Sequence, residues 1–249
     1  MQDRAWSNWR ALFSGTIAAL ALAACSENAE DAAAVPASTA AGIDVDDSLP
    51  TIPVMGPQRR IIAFGDSLFA GYGLSPEESY PSKLEAALRV QGVNADIVNA
   101  AVSGDTSAAG QQRLAFTLDA QEEKPDLFIL ELGGNDLLRG LSPEETRANF
   151  VAMLDELAAR EIPVLLMGMR SPANYGEEYQ AQFDAMYADL AREYDAALIP
   201  FWLEDIYQDQ SLFQSDRIHP TAEGIERLVE STLDEVSEAL PEPEVAEAG

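Results

Sequence analysis

Residues 60–68 read RIIAFGDSL, an apolar run that stops at a glycine and is followed at once by an acid and a serine. A short, continuous apolar run of this kind predicts a strand that is buried on both faces, and Gly65 marks its end. The same layout recurs at Asp126–Leu132, DLFILEL, which is followed by Gly133 and Gly134. Strands buried on both faces are typical of parallel sheets, whose two sides are covered by helices. The stretch therefore predicts an α/β fold with polar residues placed at the strand ends.

Strands and helices alternate along the rest of the chain. Further strands are predicted over Asp96–Asn99, Pro163–Met167 and Ala197–Phe201. Helices are predicted over Ser79–Gln91, Thr106–Leu118, Ser142 to about Arg160, Glu177–Tyr194, and from Thr221 or Ala222 to near Leu240. This alternation predicts a three-layer α/β/α sandwich around a parallel sheet of five strands. In such sheets the functional loops lie at the carboxyl ends of the strands.

The composition excludes several classes of function. The chain has 249 residues and a formal net charge of -28, with 15 Lys+Arg against 43 Asp+Glu. Nucleic-acid binding and electrostatic adhesion to anionic lipid both require a basic surface, so we expect neither. A single cysteine and a single histidine cannot form an internal disulfide or a Cys/His zinc cluster, and no calcium loop of the DxDxDG type is present.

The first residues have the layout of a secretory signal. A short basic region with Arg4 and Arg10 precedes an apolar run that ends in LAAC at Cys25. This ending resembles the bacterial lipobox, in which the cysteine is lipidated. We predict that residues 1–24 are a lipoprotein signal peptide and that Cys25 carries a lipid anchor, with Ser26 favouring the outer membrane and a periplasmic location. The alternative is an ordinary secretory signal that happens to end near a cysteine.

Composition also predicts the remaining boundaries. Residues 25–57 are rich in Ala, Asp, Glu, Ser and Pro and show little periodicity, which is typical of a flexible tether. Residues 241–249, PEPEVAEAG, predict a disordered acidic tail. Residues 58–240 are then one globular domain.

Three polar motifs follow predicted strands, and a fourth carries the only histidine. Ser67 follows the first strand, Gly104 closely follows the second, and Asn135 follows the third. His219 stands in SDRIHPT, three residues after Asp216. A serine hydroxyl needs a base within hydrogen-bond reach, and His219 is the one imidazole in the chain. The pattern predicts Ser67 as the nucleophile, His219 as the general base and acid, and Asp216 as the group that orients the imidazole.

Taken together, Ser67 in FGDSLFAGYG, Gly104 in AAVSGDTS, Asn135 in ELGGNDLLRG and His219 in SDRIHPT resemble the signature of the SGNH hydrolases, also called the GDSL esterase family. The resemblance covers roughly residues 59–240 and is closest to the thioesterase I/arylesterase/lysophospholipase-like subgroup. It implies a flavodoxin-like fold and an oxyanion hole made by the backbone N–H groups of Ser67 and Gly104 and the side-chain amide of Asn135. It also implies that no metal or organic cofactor is required.

Two segments beside these motifs are candidates for lining the substrate site. In the resembling subgroup the loop after the fourth strand borders the acyl site, which here indicates Pro172, Asn174 and Tyr175; the alternative is a turn fixed by proline. Leu137 and Leu138 next to Asn135 could form an apolar rim, or they could simply pack the start of a helix. Asp66 and Asp136 are interpreted as carboxylates that stabilise loops rather than as catalytic groups.

The sequence thus predicts a serine esterase that acts on a small-molecule ester or lipid substrate, with aryl or acyl esters, acyl thioesters and lysophospholipids as candidates. Two alternatives remain open at this point. One is a carbohydrate O-deacetylase, because folds of this family also host that activity, and the other is a non-catalytic envelope lipoprotein that binds acyl chains. The sequence does not indicate an oligomeric state.

Overall fold

The computed structural model describes residues 54–242. The predicted signal peptide, the tether as far as residue 53 and the tail from residue 243 onward lie outside the described residues. Within 54–242, none of the helices has both the length and the apolar character that crossing a bilayer would require.

Five strands and seven α-helices build the described part of the chain. The strands are β1 (Arg59–Phe64), β2 (Ala95–Asn99), β3 (Leu127–Leu130), β4 (Val164–Met167) and β5 (Ala197–Ile199). The helices are α1 (Ser67–Ala70), α2 (Tyr80–Val90), α3 (Ser107–Asp119), α4 (Gly134–Arg139), α5 (Pro143–Ala159), α6 (Glu177–Glu193) and α7 (Ala222–Ala239). Single 3₁₀ turns occur at Pro76–Glu78, Ala173–Tyr175 and Gln210–Leu212.

All strands pair in parallel, in the order β2-β1-β3-β4-β5. The predicted three-layer α/β/α sandwich with a five-stranded parallel sheet is therefore confirmed. The order reverses between β1 and β3: the chain leaves β1 toward one edge of the sheet and afterwards continues toward the other. Ala63 of β1 lies opposite Ile129 of β3, so the two strands run in step to their carboxyl ends. A crevice at such a reversal is the usual binding position in doubly wound sheets.

The helices divide between the two faces as right-handed crossovers require. Helix α2 packs against α7 on one face, while α3 packs against α5, and α5 against α6, on the other. The side chains of Leu127, Phe128, Ile129 and Leu130 in β3 are all fully buried, which accounts for the unbroken apolar run in the sequence.

Helices α1 and α4 were not predicted from the sequence. Each is only a single turn or slightly longer, and isolated helices of that length are not stable in water. They form because the chain must turn sharply where β1 and β3 end. Gly71 and Gly140 terminate them in the left-handed conformation, at φ values of 74° and 65°.

Gly110 on α3 determines how closely that helix approaches the sheet below the crevice. A Cβ at Gly110 would lie 2.4 Å from Leu132 Cδ1 and 3.2 Å from Phe64 Cε1. We expect Gly110→Val to lower the free energy of unfolding by about 1–3 kcal/mol, because the added carbons overpack this contact. Denaturant unfolding measures the change. Ala115→Val, on the exposed side of the same helix, is the matched control and should cost no more than about 0.7 kcal/mol. Equal losses in the two variants would contradict the packing described.

Candidate active site

Ser67 lies at the point where β1 gives way to helix α1. It is the first residue of α1, and Asp66 caps that helix by accepting a hydrogen bond from the Leu68 backbone N–H at 3.0 Å. Gly65 has no room for a side chain, since a Cβ there would lie 2.6 Å from a carboxyl oxygen of Glu131. The sharp strand-to-helix turn places the serine hydroxyl in the crevice at the carboxyl ends of β1 and β3.

His219 joins Ser67 to Asp216 through two hydrogen bonds. Its Nε2 lies 2.8 Å from Ser67 Oγ, and its Nδ1 lies 2.7 Å from Asp216 Oδ2. An Nδ1–H that donates to the carboxylate leaves Nε2 free to accept the serine proton. The structure thus brings Ser67 into contact with the Asp216–His219 pair, although His219 lies 152 residues farther along the chain.

The pKa of Asp216 is lowered to about 2, chiefly by the hydrogen bond from His219 and also by the backbone N–H of Ile218. Asp216 Oδ1 accepts that N–H at 3.0 Å and the His219 N–H at 3.1 Å. The carboxylate is therefore ionised at any pH at which the protein would work. It presents a fixed negative charge to the imidazole.

The loop that carries this pair is tightly closed. Arg217, between the two residues, has a φ of 60°, an uncommon left-handed value for a residue with a side chain. Phe213 and Pro220 form an antiparallel bridge across the base of the loop. Gln214 Nε2 donates to the carbonyl oxygens of Tyr72, at 2.7 Å, and Pro220, at 2.9 Å, so the loop is tied to the segment after α1.

Tyr72 covers one face of the imidazole. Its ring centroid lies 4.4 Å from that of His219, with the ring planes inclined by 32°. The contact limits rotation of the imidazole, while the tyrosine itself is 54% exposed. Tyr72 stands within the motif FGDSLFAGYG, but the sequence analysis assigned it no role.

Two of the expected oxyanion donors converge on the same crevice. Asn135, the second residue of α4, donates from Nδ2 to Asp66 Oδ2 at 2.8 Å, and an amide nitrogen has a second N–H to offer. Gly104 has a φ of 88°, a conformation that favours glycine, and a Cβ there would point into open space beside Arg139. Together with Ser67, both residues line one cavity.

A half-buried ion pair and several hydrogen bonds fix the loop that contains Gly104. Arg113 pairs with Asp105 at 2.5 Å and donates to the carbonyl oxygens of Ala100 and Gly65. Asp136 is fully buried and accepts from the backbone N–H and the hydroxyl of Ser107. The interpretation of Asp136 as a loop-stabilising carboxylate agrees with these contacts.

Asp66 does more than cap its helix, because it also touches a second buried acid. Burial raises the pKa of Asp66 to about 6, against the opposing effect of hydrogen bonds from Leu68 and Asn135. Burial, together with the nearby Asp66 charge, raises the pKa of Glu131 well above its ordinary value. The two side chains are 1% and 0% exposed, respectively.

The crevice opens into a cavity of about 890 Å³, within the size range of small-molecule sites. Its wall is mainly apolar and aromatic, with Leu68, Tyr72, Leu137, Leu138, Met169, Pro172, Tyr175, Leu203, Tyr207, Phe213 and Ile218 beside the polar groups already described. The structure places Leu137, Leu138, Pro172 and Tyr175 on this wall, where we expected them.

Asn174 is the exception among the expected lining residues. It is exposed and does not line the cavity. The Tyr175 hydroxyl donates to the Leu137 carbonyl oxygen at 2.5 Å, which turns Tyr175 inward and leaves Asn174 on the outer side of the 3₁₀ turn. Residues 201–213 supply much of the remaining wall, and no motif in that segment had marked it.

In residues 54–242, no group of three or more His, Cys, Asp or Glu side chains is arranged to hold a metal ion. Ser67, His219, Asn135 and Gly104 line the cavity together with the polar side chains of Arg170, Gln208, Gln210 and Arg217, and Asp216 supports His219 from behind. The first four, with Asp216, are the set that acyl transfer requires.

Comparisons with known proteins agree with this geometry. The GDSL-like Lipase/Acylhydrolase family matches residues 63–227. Esterase TesA of Pseudomonas aeruginosa is 39% identical over 173 residues, which are 70% of this chain and 85% of that protein. The Escherichia coli protein named Thioesterase 1/protease 1/lysophospholipase L1 is 39% identical over 164 residues, 66% of this chain and 76% of that one.

A solved structure supports the same assignment. The crystal structure of AlinE4, described as an SGNH-hydrolase family esterase, is 60% identical, covers 76% of this chain and 100% of its own, and superposes with a TM-score of 0.64. The resemblance that the four sequence motifs indicated is therefore confirmed. The chain belongs to the GDSL-like lipase/acylhydrolase family.

Proposed function

We propose that this chain cleaves carboxylic esters through an acyl intermediate on Ser67, with His219 as proton carrier and Asp216 as the group that orients it. Membership of the family, and relatives named esterase, thioesterase and arylesterase, make the chain a hydrolase of ester bonds. The observation that carries the residue assignment is the hydrogen-bonded series from Ser67 Oγ through His219 to Asp216, at 2.8 Å and 2.7 Å.

The reaction proceeds in two halves. Ser67 Oγ attacks the ester carbonyl as neutral His219 takes the hydroxyl proton at Nε2. The tetrahedral intermediate collapses, and the leaving alkoxide departs with that proton as an alcohol, which leaves the acyl group on Ser67. Water then attacks the acyl-serine, again losing its proton to His219, and the acid is released as Ser67 recovers its proton. Asp216 stays ionised throughout and stabilises the imidazolium that forms in each half.

The negative charge that develops on the carbonyl oxygen is met by three donors. They are the backbone N–H groups of Ser67 and Gly104 and the second N–H of Asn135. Donors that are already in place when charge appears need no reorganisation, which is why such sites lower the barrier to acyl transfer. The positive φ of Gly104 and the hydrogen bond from Asn135 to Asp66 support this role, because both fix donors before substrate arrives.

The apolar wall of the cavity favours an acyl or aryl group over a sugar. A site of about 890 Å³ lined by leucines and aromatic rings can hold a chain of several carbons next to Ser67. The names of the relatives extend the candidates to thioesters and lysophospholipids. The polar side chains on the wall, Arg170, Gln208, Gln210 and Arg217, are outnumbered by apolar and aromatic ones, which favours an acyl ester over a carbohydrate ester. The hydrogen bond between Ser67 and His219 favours an enzyme over a non-catalytic lipoprotein.

The N-terminal segment supports a location in the cell envelope. We infer from the sequence that residues 1–24 are a signal peptide and that Cys25 is lipidated, so that acyl chains hold the enzyme domain at the membrane through a tether. The basic start, the apolar run and the LAAC ending are the features that favour this proposal.

The Ser67→Ala variant tests the enzyme proposal. We expect kcat for p-nitrophenyl esters to fall at least about 10³-fold, because within residues 54–242 Ser67 supplies the hydroxyl that is hydrogen-bonded to His219 Nε2. The melting temperature should change little, since a half-exposed hydroxyl is lost. Ser231→Ala on α7 is the matched control and should keep full turnover. A purified Ser67→Ala protein with undiminished turnover would remove Ser67 from the mechanism.

The Cys25→Ala variant tests the anchor. Expressed in a bacterial host, the parent chain should incorporate labelled palmitate. It should also sediment with membranes, because acyl chains on Cys25 would be buried in the bilayer and hold the protein there. The variant should take up no label and remain soluble after cell lysis. A parent chain that carries no label would contradict lipidation and favour an ordinary secretory signal.

A further inference from the structure

Glu131 is a fully buried acid directly beneath the reacting groups, and the mechanism above does not use it. It follows the last residue of β3, and its side chain is 0% exposed. Its Oε2 accepts the Asp66 backbone N–H at 3.2 Å. A carboxyl group in this position needs an explanation, because acids are almost never fully buried without a partner.

The donors around Glu131 are too few for a carboxylate. An ionised carboxylate offers about four acceptor positions. Among the described residues a single N–H, that of Asp66, reaches Oε2, and no donor reaches Oε1. The nearby hydroxyl of Tyr187 is committed to the Leu132 carbonyl oxygen at 2.9 Å. An ionised Glu131 would thus be a buried charge without compensation, so the neutral, protonated form is the one that fits the site.

A protonated carboxyl has one O–H to donate. Asp66, whose backbone N–H reaches Glu131 Oε2 at 3.2 Å and whose charge raises the pKa of Glu131, carries the neighbouring carboxyl that could accept it. Of the two acids, Asp66 is the better site for the negative charge. Its Oδ1 accepts the Leu68 N–H at 3.0 Å and its Oδ2 accepts Asn135 Nδ2 at 2.8 Å. The electrostatic effect of His219 also favours an ionised Asp66. The shared proton therefore belongs on Glu131.

We infer that Glu131 is a positioning residue for the oxyanion site, a protonated acid that donates a hydrogen bond to Asp66 and thereby fixes Asp66 as the acceptor for Asn135. The inference rests on the proposed role of Asn135 in binding the oxyanion. With one amide N–H held by Asp66, the other is directed to the cavity. Glu131 touches neither substrate nor the reacting atoms and acts only through Asp66.

The space for this arrangement comes from Gly65. A Cβ at that position would lie 2.6 Å from Glu131 Oε2 and 2.8 Å from the Glu131 carbonyl oxygen. The glycine that ends β1 therefore admits the acid side chain between the two central strands. Tyr187 from α6 and His219 are titratable groups that interact electrostatically with the pair formed by Asp66 and Glu131.

Kinetics of Glu131→Met and Glu131→Gln test the inference. Methionine fills the same space but has no hydrogen-bond donor, so Asp66 would no longer hold Asn135 in position. We expect kcat to fall roughly 10- to 100-fold with KM nearly unchanged, which is the effect expected of a misplaced oxyanion donor. Glutamine keeps an N–H donor for Asp66 and an acceptor for the Asp66 N–H, and should retain most of the turnover. Glu122→Gln is the control, because Glu122 is exposed in the loop that precedes β3. This variant should match the parent in kcat and KM.

A double-mutant cycle separates positioning from a general structural effect. Asn135→Ala alone should lower kcat about 10²–10³-fold. In that background Glu131→Met should cost little more, because the group that Glu131 positions is already gone. If Asn135→Ala lowers kcat but Glu131→Met does not, or if the two losses simply multiply, the inference is overturned. If Asn135→Ala itself has no effect, the proposed oxyanion role has failed instead.

The pH dependence of stability gives a second measurement that does not depend on activity. The folded protein holds the Glu131 proton more tightly than the unfolded chain, so the stability this provides is present at low pH and lost as pH rises. Glutamine cannot ionise. The melting temperature of Glu131→Gln should therefore rise above that of the parent by an amount that grows as the pH rises above the range in which a glutamate of the unfolded chain ionises. A constant difference, or equal kcat losses in the Gln and Met variants, would show that Glu131 does not donate a hydrogen bond to Asp66.

Discussion

The site depends on the reversal of strand order between β1 and β3. Two adjacent parallel strands end at the same edge, and the chain leaves them in different directions, so a crevice must open between their carboxyl ends. Ser67 follows one strand and Asn135 the other, which brings nucleophile and oxyanion donor together without any further adaptation of the fold. Gly65 and Gly133 keep both turns tight, because a Cβ at either would overlap a buried side chain. The acids between the strands, Asp66 and Glu131, then connect the two turns.

His219 is placed in this crevice by the contacts of its own loop and not by the end of a strand. Its loop is far along the chain from both strands and is ordered by short-range contacts. Asp216 accepts two backbone N–H groups as well as the imidazole, Arg217 takes a left-handed conformation between the pair, and Gln214 fastens the loop to Tyr72. The site is therefore a rigid sheet edge completed by one closed loop. The apolar cavity that leads to it is formed mostly by side chains from segments that have no regular structure.

Much of this could be predicted from the sequence. Unbroken apolar runs marked the central strands, and the polar residues that follow them marked the site. A single histidine left one candidate for the base. The rest depended on contacts between distant segments, which periodicity does not encode. Helices α1 and α4 are too short to have a pattern of their own, and the wall supplied by residues 201–213 carries no motif. Asn174 lies on the outside because the neighbouring Tyr175 hydroxyl donates a hydrogen bond to the Leu137 carbonyl oxygen and so turns Tyr175 toward the cavity. Glu131 could have been noticed in the sequence, because it is an acid within the apolar run DLFILEL. An acid in a buried strand requires a hydrogen-bonding partner.

The central claim is that Ser67, His219 and Asp216 act as one unit to form a covalent intermediate. Intact-mass analysis after reaction with a fluorophosphonate, followed by peptide mapping, tests it most directly, because the reagent labels only an activated serine. The account predicts one phosphonyl group per chain, located on Ser67, and labelling that is almost abolished in His219→Ala. A label on another residue, or labelling of Ser67 at an undiminished rate without His219, would contradict it.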